Sequence, residues 1–206
     1  PDGTFTLKER FGTEMKFDTN NRLTTITDID GNQMVFTYTD DKLSQARDSS
    51  NRTLSLSYTG ENLTRLSDST GRSVSYTYDG NGNLVSYVDP ENKSWGYGYD
   101  ALHQMTTLSN PLGIITATNT YDDEGRVDTQ TVPRQGGGTA VYKFYFSGIR
   151  NIEEDPYGKL TVYNIDDKGR TFSVENALGF RDYKYFDGQN HVTFVSDPLD
   201  HWTFFT

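Results

Sequence analysis

Three histidines, His103, His191 and His201, are the side chains best suited to chemistry, since an imidazole can act as general base or metal ligand. Nucleophilic catalysis requires a nucleophile, a base and an orienting group within hydrogen-bond reach. The three histidines lie in or beside turn-forming stretches, at different points of the chain, and none has a Ser or Cys nucleophile context. Solvated turn histidines are the simpler reading, so no residue receives a catalytic role and the chain is predicted not to be an enzyme. Asp79, Asn81 and Asn83 alternate as calcium-loop ligands do. An EF-hand loop needs Gly at its sixth position and Glu at its twelfth, where Leu84 and Pro90 stand. The calcium-binding nonapeptide of β-rolls is absent, and a chain with no cysteine has no thiolate metal site or disulfide. The expectation is no metal and no cofactor.

Exposed aromatic rings could stack on sugars, with acidic or amide neighbours binding hydroxyls, and Trp95, Trp202, Tyr87 and Tyr97 are the candidates. Trp95 and Tyr97 follow the regular inward alternation of their segment. Tyr87 falls in the opposite phase, so Tyr87 and Trp202 are the better sugar-binding candidates. Gly136-Gly137-Gly138 lacks the Lys-Ser/Thr of a phosphate loop and reads as a flexible hairpin connection. Glu153-Glu154-Asp155 reads as a solvated turn.

The elements that must position these residues are strands. Hydrophobic residues make up only 33% of the 206, yet 14% are aromatic, with 14 Tyr and 12 Phe. Disordered chains are poor in aromatics, so this composition predicts many thin, half-buried strands, each with one polar face. A Gly, Asn or Asp following an acidic turn recurs as Gly31, Asn51, Gly71, Asn92, Gly113, Gly158, Gly179 and Asp200, in steps of 20, 20, 21, 21, a double step of 45, then 21 and 21. Internal periods of this size mark repeat architectures. In the best-formed unit Val74, Tyr76 and Tyr78 alternate with Ser73, Ser75 and Thr77, the period of two of a strand. Asp79 to Asn83 supplies residues tolerant of positive φ, Leu84 to Val88 returns, and Asp89-Pro90 closes the unit. Three, five and seven residues past the other anchors stand Met34, Phe36, Tyr38; Leu54, Leu56, Tyr58; and Trp95, Tyr97, Tyr99. After Gly113 the apolar set arrives one residue late, which predicts a β-bulge. The phase is mixed at Tyr183, Tyr185 and Phe186, and the unit near 133–155 is irregular.

These units resemble YD repeats, the Tyr-Asp repeats of RHS proteins. Tyr78-Asp79, Tyr99-Asp100 and Tyr121-Asp122 carry the pair, with Gly71, Gly113, Gly158 and Gly179 as repeat glycines; Phe17-Asp18, Phe186-Asp187 and Ile165-Asp166 are variants. Tyr38-Thr39, Tyr58-Thr59 and Phe146-Ser147 lack the Asp. The similarity covers essentially all of 1–206 as about nine hairpin units, the last truncated. It implies an all-β fold of tandem antiparallel hairpins in one curved, spiralling sheet, a fragment of an RHS shell. In bacterial RHS proteins and insecticidal toxin complex C components such a shell holds a C-terminal toxic domain; animal teneurins use a related barrel in adhesion. The partners implied are therefore the rest of the parent RHS protein and its toxic domain, and the location exported, extracellular or cell-surface. The family's autoproteolytic aspartate site has no counterpart: Asp155-Pro156 and Asp197-Pro198 only echo its opening. A carbohydrate- or protein-binding module of a surface adhesin is the alternative, with a glycan or cell-surface partner.

Other partner classes follow from charge and hydropathy. The net charge of −10 argues against nucleic acid and anionic membrane surfaces. No apolar run reaches the ~18 residues of a membrane span. The opening at Pro1-Asp2-Gly3 without Met, and the stop at Phe205-Thr206, predict a segment of a longer array with no signal peptide of its own.

Overall fold

The structure, a computed structural model, describes residues 2–205; Pro1 and Thr206, the termini at which the array is expected to be cut, lie outside the described residues. Among the described residues every regular element is a β-strand. The chain divides into two compact units, Pro1–Tyr97 and Gly98–Thr206. The first carries β1 (Phe5–Lys8), β2 (Glu14–Phe17), β3 (Leu23–Thr27), β4 (Gln33–Thr39), β5 (Lys42–Asp48), β6 (Thr53–Thr59), β7 (Asn62–Asp68), β8 (Ser73–Tyr78) and β9 (Leu84–Val88), and β9 pairs with the opening residues of β10 (Ser94–Tyr99). Each strand pairs antiparallel with the one before it in sequence.

Strict alternation segregates the two faces of this first unit. One face runs Leu56 opposite Leu66 opposite Val74, and Tyr76 opposite Tyr87 opposite Trp95. The other runs Ser57, Arg65, Ser75 and Thr77, Ser86, Gly96. Cross-strand neighbours on one face are the contacts that stabilise a sheet. Here the rings of Tyr76 and Tyr87 lie 5.7 Å apart and those of Tyr87 and Trp95 5.4 Å apart.

The second unit continues the same antiparallel order through β11 (Met105–Ser109), β12 (Ile115–Tyr121), β13 (Val127–Pro133), β14 (Thr139–Ser147), β15 (Arg150–Glu154), β16 (Leu160–Ile165), β17 (Thr171–Glu175), β18 (Arg181–Phe186), β19 (Val192–Ser196) and β20 (Trp202–Phe204). The expected polar face is lost here. Phe144 and Phe146 point one way, while Tyr145, opposite Ile152, which is in turn opposite Val162, points the other. The bulge expected after Gly113 is present: Ala117 faces Leu108 and Ile115 faces Ser109, leaving Thr116 extra. The mixed phase near Gly179 has a different cause: by ordinary alternation Tyr183 and Tyr185 share one face and Phe186 takes the other, so both faces are aromatic, and the extra residue, Thr193, lies on the return strand.

Burial is shallow throughout. Among the described residues Ala140 and Val162 alone form a buried apolar core, and no large side chain is fully buried. Each ring is covered by its lateral neighbours rather than by a second layer, so each strand depends on the one beside it, as in other quasi-one-dimensional arrays.

Candidate functional site: the turn frame and the tyrosine clasp

The repeat begins in one five-residue turn. At Asp68 the backbone N–H donates to the Arg72 carbonyl (2.9 Å), and the Gly71 N–H donates to the Asp68 carbonyl (3.2 Å). This is a type I turn closed by a left-handed residue, and Gly71 has φ +92°. Asp68 Oδ1 accepts from the backbone N–H groups of Thr70 and Arg72, and Oδ2 accepts from the Arg72 guanidinium (2.7 Å). All eight anchors read from the sequence, Asn51, Asn92 and Asp200 included, sit at this left-handed position.

The Asp of the Tyr-Asp pair opens the same frame on the opposite rim. Asp18, Asp79, Asp100, Asp122, Asp166 and Asp187 each accept from two backbone N–H groups, two and four residues on. Where the Asp is missing the turn is different: two-residue loops at Asp40-Asp41, Gly60-Glu61 and Gly148-Ile149 join strands paired to their last residues. Gly136 to Gly138 also keeps the frame, with the Gly137 N–H donating to the Arg134 carbonyl. Arg134 offers no Asx oxygen, and three consecutive glycines at positive φ take over the bend. The double step of 45 is therefore 24 to Gly137 and 21 to Gly158.

Five of the turn carboxylates are held anionic by their surroundings. The Thr70 hydroxyl, ahead of Arg72, brings Asp68 down to about 2. The guanidinium of Arg22 lowers Asp18 and that of Arg170 lowers Asp166; the backbone N–H of Arg52 lowers Asp48 and that of Arg126 lowers Asp122.

The tyrosine joins one hairpin to the last. Tyr38 Oη donates to the Leu23 carbonyl (2.9 Å), Tyr58 to Leu43 (3.0 Å), Tyr78 to Leu63 (3.0 Å) and Tyr121 to Met105 (2.6 Å). The first three span fifteen residues, and Tyr121 spans sixteen because of the bulge before it. Immediately after each accepting leucine the return strand carries an extra residue, Thr24, Ser44 or Thr64. A bulge leaves ladder groups unpaired. The extra hydroxyls fill that gap, donating to the carbonyls of Lys16, Thr37 and Ser57. A cation lies over the ring at this repeat position, whether or not it bears a hydroxyl: Arg22 is 5.0 Å from the Tyr38 ring centre, Arg126 4.7 Å from Phe146 and Arg170 4.5 Å from Phe186. The Asp that opens one turn thus fixes the Arg that covers the next unit's aromatic.

The remaining candidates are absorbed by this frame. His103 takes the left-handed place after Asp100, at φ +64°. His191 and His201 stand where Arg stands elsewhere, each with Nδ1 against its turn carboxylate, Asp187 (3.0 Å) and Asp197 (2.9 Å). They belong to successive turns on opposite rims and form no pair. Asp79 accepts from the Asn81 and Asn83 backbone and from Asn83 Nδ2. Among the described residues no group of three or more His, Cys, Asp or Glu is placed to hold a metal ion. Asp155-Pro156 and Asp197-Pro198 open ordinary turns, with Pro at the position that type I favours.

The opposite phase assigned to Tyr87 is overturned. Val85 is the extra residue of its strand, so Tyr87 joins Tyr76 and Trp95 on one face. Trp202 is 47% exposed and packs against Phe194, with ring centres 5.5 Å apart.

A sequence model described as "RHS Repeat" matches residues 57–92 and 78–115, the stretch holding Tyr58, Tyr78 and Tyr99. Residues 57–115 are built of RHS repeats. No curated protein matches it. Among solved structures, the crystal structure of TcdB2-TccC3-Cdc42 aligns with a TM-score of 0.59 at 14% identity, over 94% of this chain and 13% of that chain. The Tc holotoxin pore of Photorhabdus luminescens aligns over 91% of this chain and 13% of that one, with 14% identity and a TM-score of 0.47. The chain thus spans about 13% of the length of these two solved chains. The first likeness confirms the all-β hairpin fold.

The arrangement of these repeats is structural. Its most frequent chemistry, carboxylate, guanidinium and phenol, is spent on turn closure and on joining units. Among the described residues no helix is long and apolar enough to cross a membrane.

Proposed function

We propose that this chain is a length of wall in the shell of a longer, exported RHS protein, where it encloses or presents a C-terminal toxic domain. Residues 1–206 act as one array of about nine units in this reading. The observation that carries it is the tyrosine clasp: four units are tied to their predecessors by a hydroxyl–carbonyl bond spanning fifteen or sixteen residues, so a wall extends by repetition. A single-layer sheet suits a wall, because nearly all its side chains are half-covered by lateral neighbours. The fold shared with the TcdB2-TccC3-Cdc42 structure supports the same reading.

The test is limited proteolysis of the parent protein. With the clasps intact, the C-terminal domain is protected from protease; with Tyr38, Tyr58 and Tyr78 all changed to Phe, protection falls. A C-terminal domain that is cleaved freely in the unaltered parent contradicts the reading.

A further inference from the structure

The second unit carries an apolar rim that neither its fold nor the shell reading uses. In a type I turn the third residue points outward and is commonly polar. In the turns opening at Asn110, Asp155, Asn176 and Asp197 that residue is Leu112, Tyr157, Leu178 and Leu199, exposed to 82, 78, 80 and 69%. Ile114 and Phe180, two residues further on, are also exposed. Phe11 apart, the corresponding positions of the first unit hold Asp30, Ser50, Thr70 and Glu91. The opposite rim of the second unit breaks Leu102 and Ile149 with Glu124, Lys168 and Gln189, so no continuous row forms there. A repeated apolar row at the outermost point of a protein marks an interaction surface.

We infer that this rim is an isologous interface, packing against the same rim of a second copy of the chain. Successive turns on one rim are two strands apart, about 10 Å. A partner must match that spacing, and an identical rim does. The row has one recess, the turn opening at Arg134, where Gly136 occupies the outward place. A two-fold axis midway between Gly136 and Tyr157 seats each copy's largest rim side chain in the other's recess. It also sets Leu112 of one copy against Leu178 of the other, so the stretch from Leu112 to Leu178 is self-complementary and Leu199 lies outside it. At roughly 100 Å² per exposed side chain, the five apolar residues of that stretch offer about 500 Å² per copy, or about 1,000 Å² in all, the threshold of a specific interface.

The test is sedimentation of the full chain across the micromolar range. A monomer of 23.3 kDa in reversible equilibrium with a species of twice that mass is expected. Leu112→Asn with Leu178→Asn weakens dimerisation at least tenfold while leaving the far-UV spectrum and urea midpoint in place, since Asn suits a turn. Because the chain has no cysteine, mixing a Leu112→Cys chain with a Leu178→Cys chain reads the register: the mixed disulfide forms in preference to either homodimer. A chain that stays monomeric, leaving the rim to some other partner, overturns the inference. So does association that grows without limit, or that ignores both substitutions, as pairing through β1 and β20 would.

Discussion

Replacing Tyr78 by Phe removes one hydroxyl and nothing else of the ring, so it isolates the clasp. Tyr78 is half-buried and donates to the Leu63 carbonyl at 3.0 Å. A typical net hydrogen bond contributes about 1 kcal/mol. The Leu63 carbonyl is part-buried, so water reaches it in the variant and the larger penalty of a dry, orphaned acceptor does not apply. With a urea slope of about 2 kcal/mol/M the midpoint should fall by about 0.5 M. Tyr38, Tyr58 and Tyr78 share no partner and stand about 10 Å apart along the sheet, so the triple replacement should cost about 3 kcal/mol. The assay is urea unfolding read by Trp95 fluorescence, which reports from the same unit. Tyr157→Phe is the control, since that ring is 78% exposed at a turn tip. If Tyr78→Phe shifts the midpoint no more than Tyr157→Phe does, the hydroxyl–carbonyl clasp does not hold the units together.

Acid should loosen the turns first. Asp18, Asp48, Asp68, Asp122, Asp166, Asp187 and Asp197 titrate below their unfolded values, so their stabilisation is complete above about pH 4 and is lost as pH falls through their folded values, which for Asp68 is about 2. Unfolding followed by circular dichroism from pH 5 to 2 should show this loss, with a smaller pH slope for Asp68→Asn. Ser173 and Ser196 are both buried but differ in partners: Ser173 Oγ accepts from Asn164 Nδ2 (2.9 Å), and Ser196 Oγ has none. Ser173→Ala should cost about 1–3 kcal/mol by stranding the amide, and Ser196→Ala should be neutral or stabilising in thermal unfolding. A methyl group at Gly98 would collide with the Thr107 hydroxyl. Gly98→Ala should therefore lower the melting temperature, and adding Thr107→Ala should recover most of the loss.

The sequence made the period and turns legible because turn chemistry is local. A Gly or Asn three residues after an Asp satisfies a left-handed φ whatever surrounds it, and Asp200 was identified by the same logic. The bulge after Gly113 was legible because it displaced a whole apolar set. The bulges after Leu23, Leu43, Leu63 and Leu84 were not, since each adds one residue to a strand too short to reveal the slip. That slip put Tyr87 on the wrong face. The clasp was hidden for another reason: its acceptors are main-chain carbonyls, which carry no residue type. Its visible trace was the tyrosine seven residues past Gly31, Asn51 and Gly71 and eight past Gly113, read there as apolar alternation alone. The Arg four residues after Asp18, Asp122 and Asp166 was a further signal, and the aromatic it covers lies a whole unit away.

Amide hydrogen exchange across the first unit tests the central claim most directly, namely that hairpins are held by their neighbours as firmly as by their own turns. The ladders between hairpins, β3–β4, β5–β6 and β7–β8, should be protected to the same degree as the ladders within them, β4–β5 and β6–β7, and should open together. Fast exchange between hairpins with slow exchange inside each would describe independent hairpins on a string, and would contradict a wall built by joining one repeat to the next.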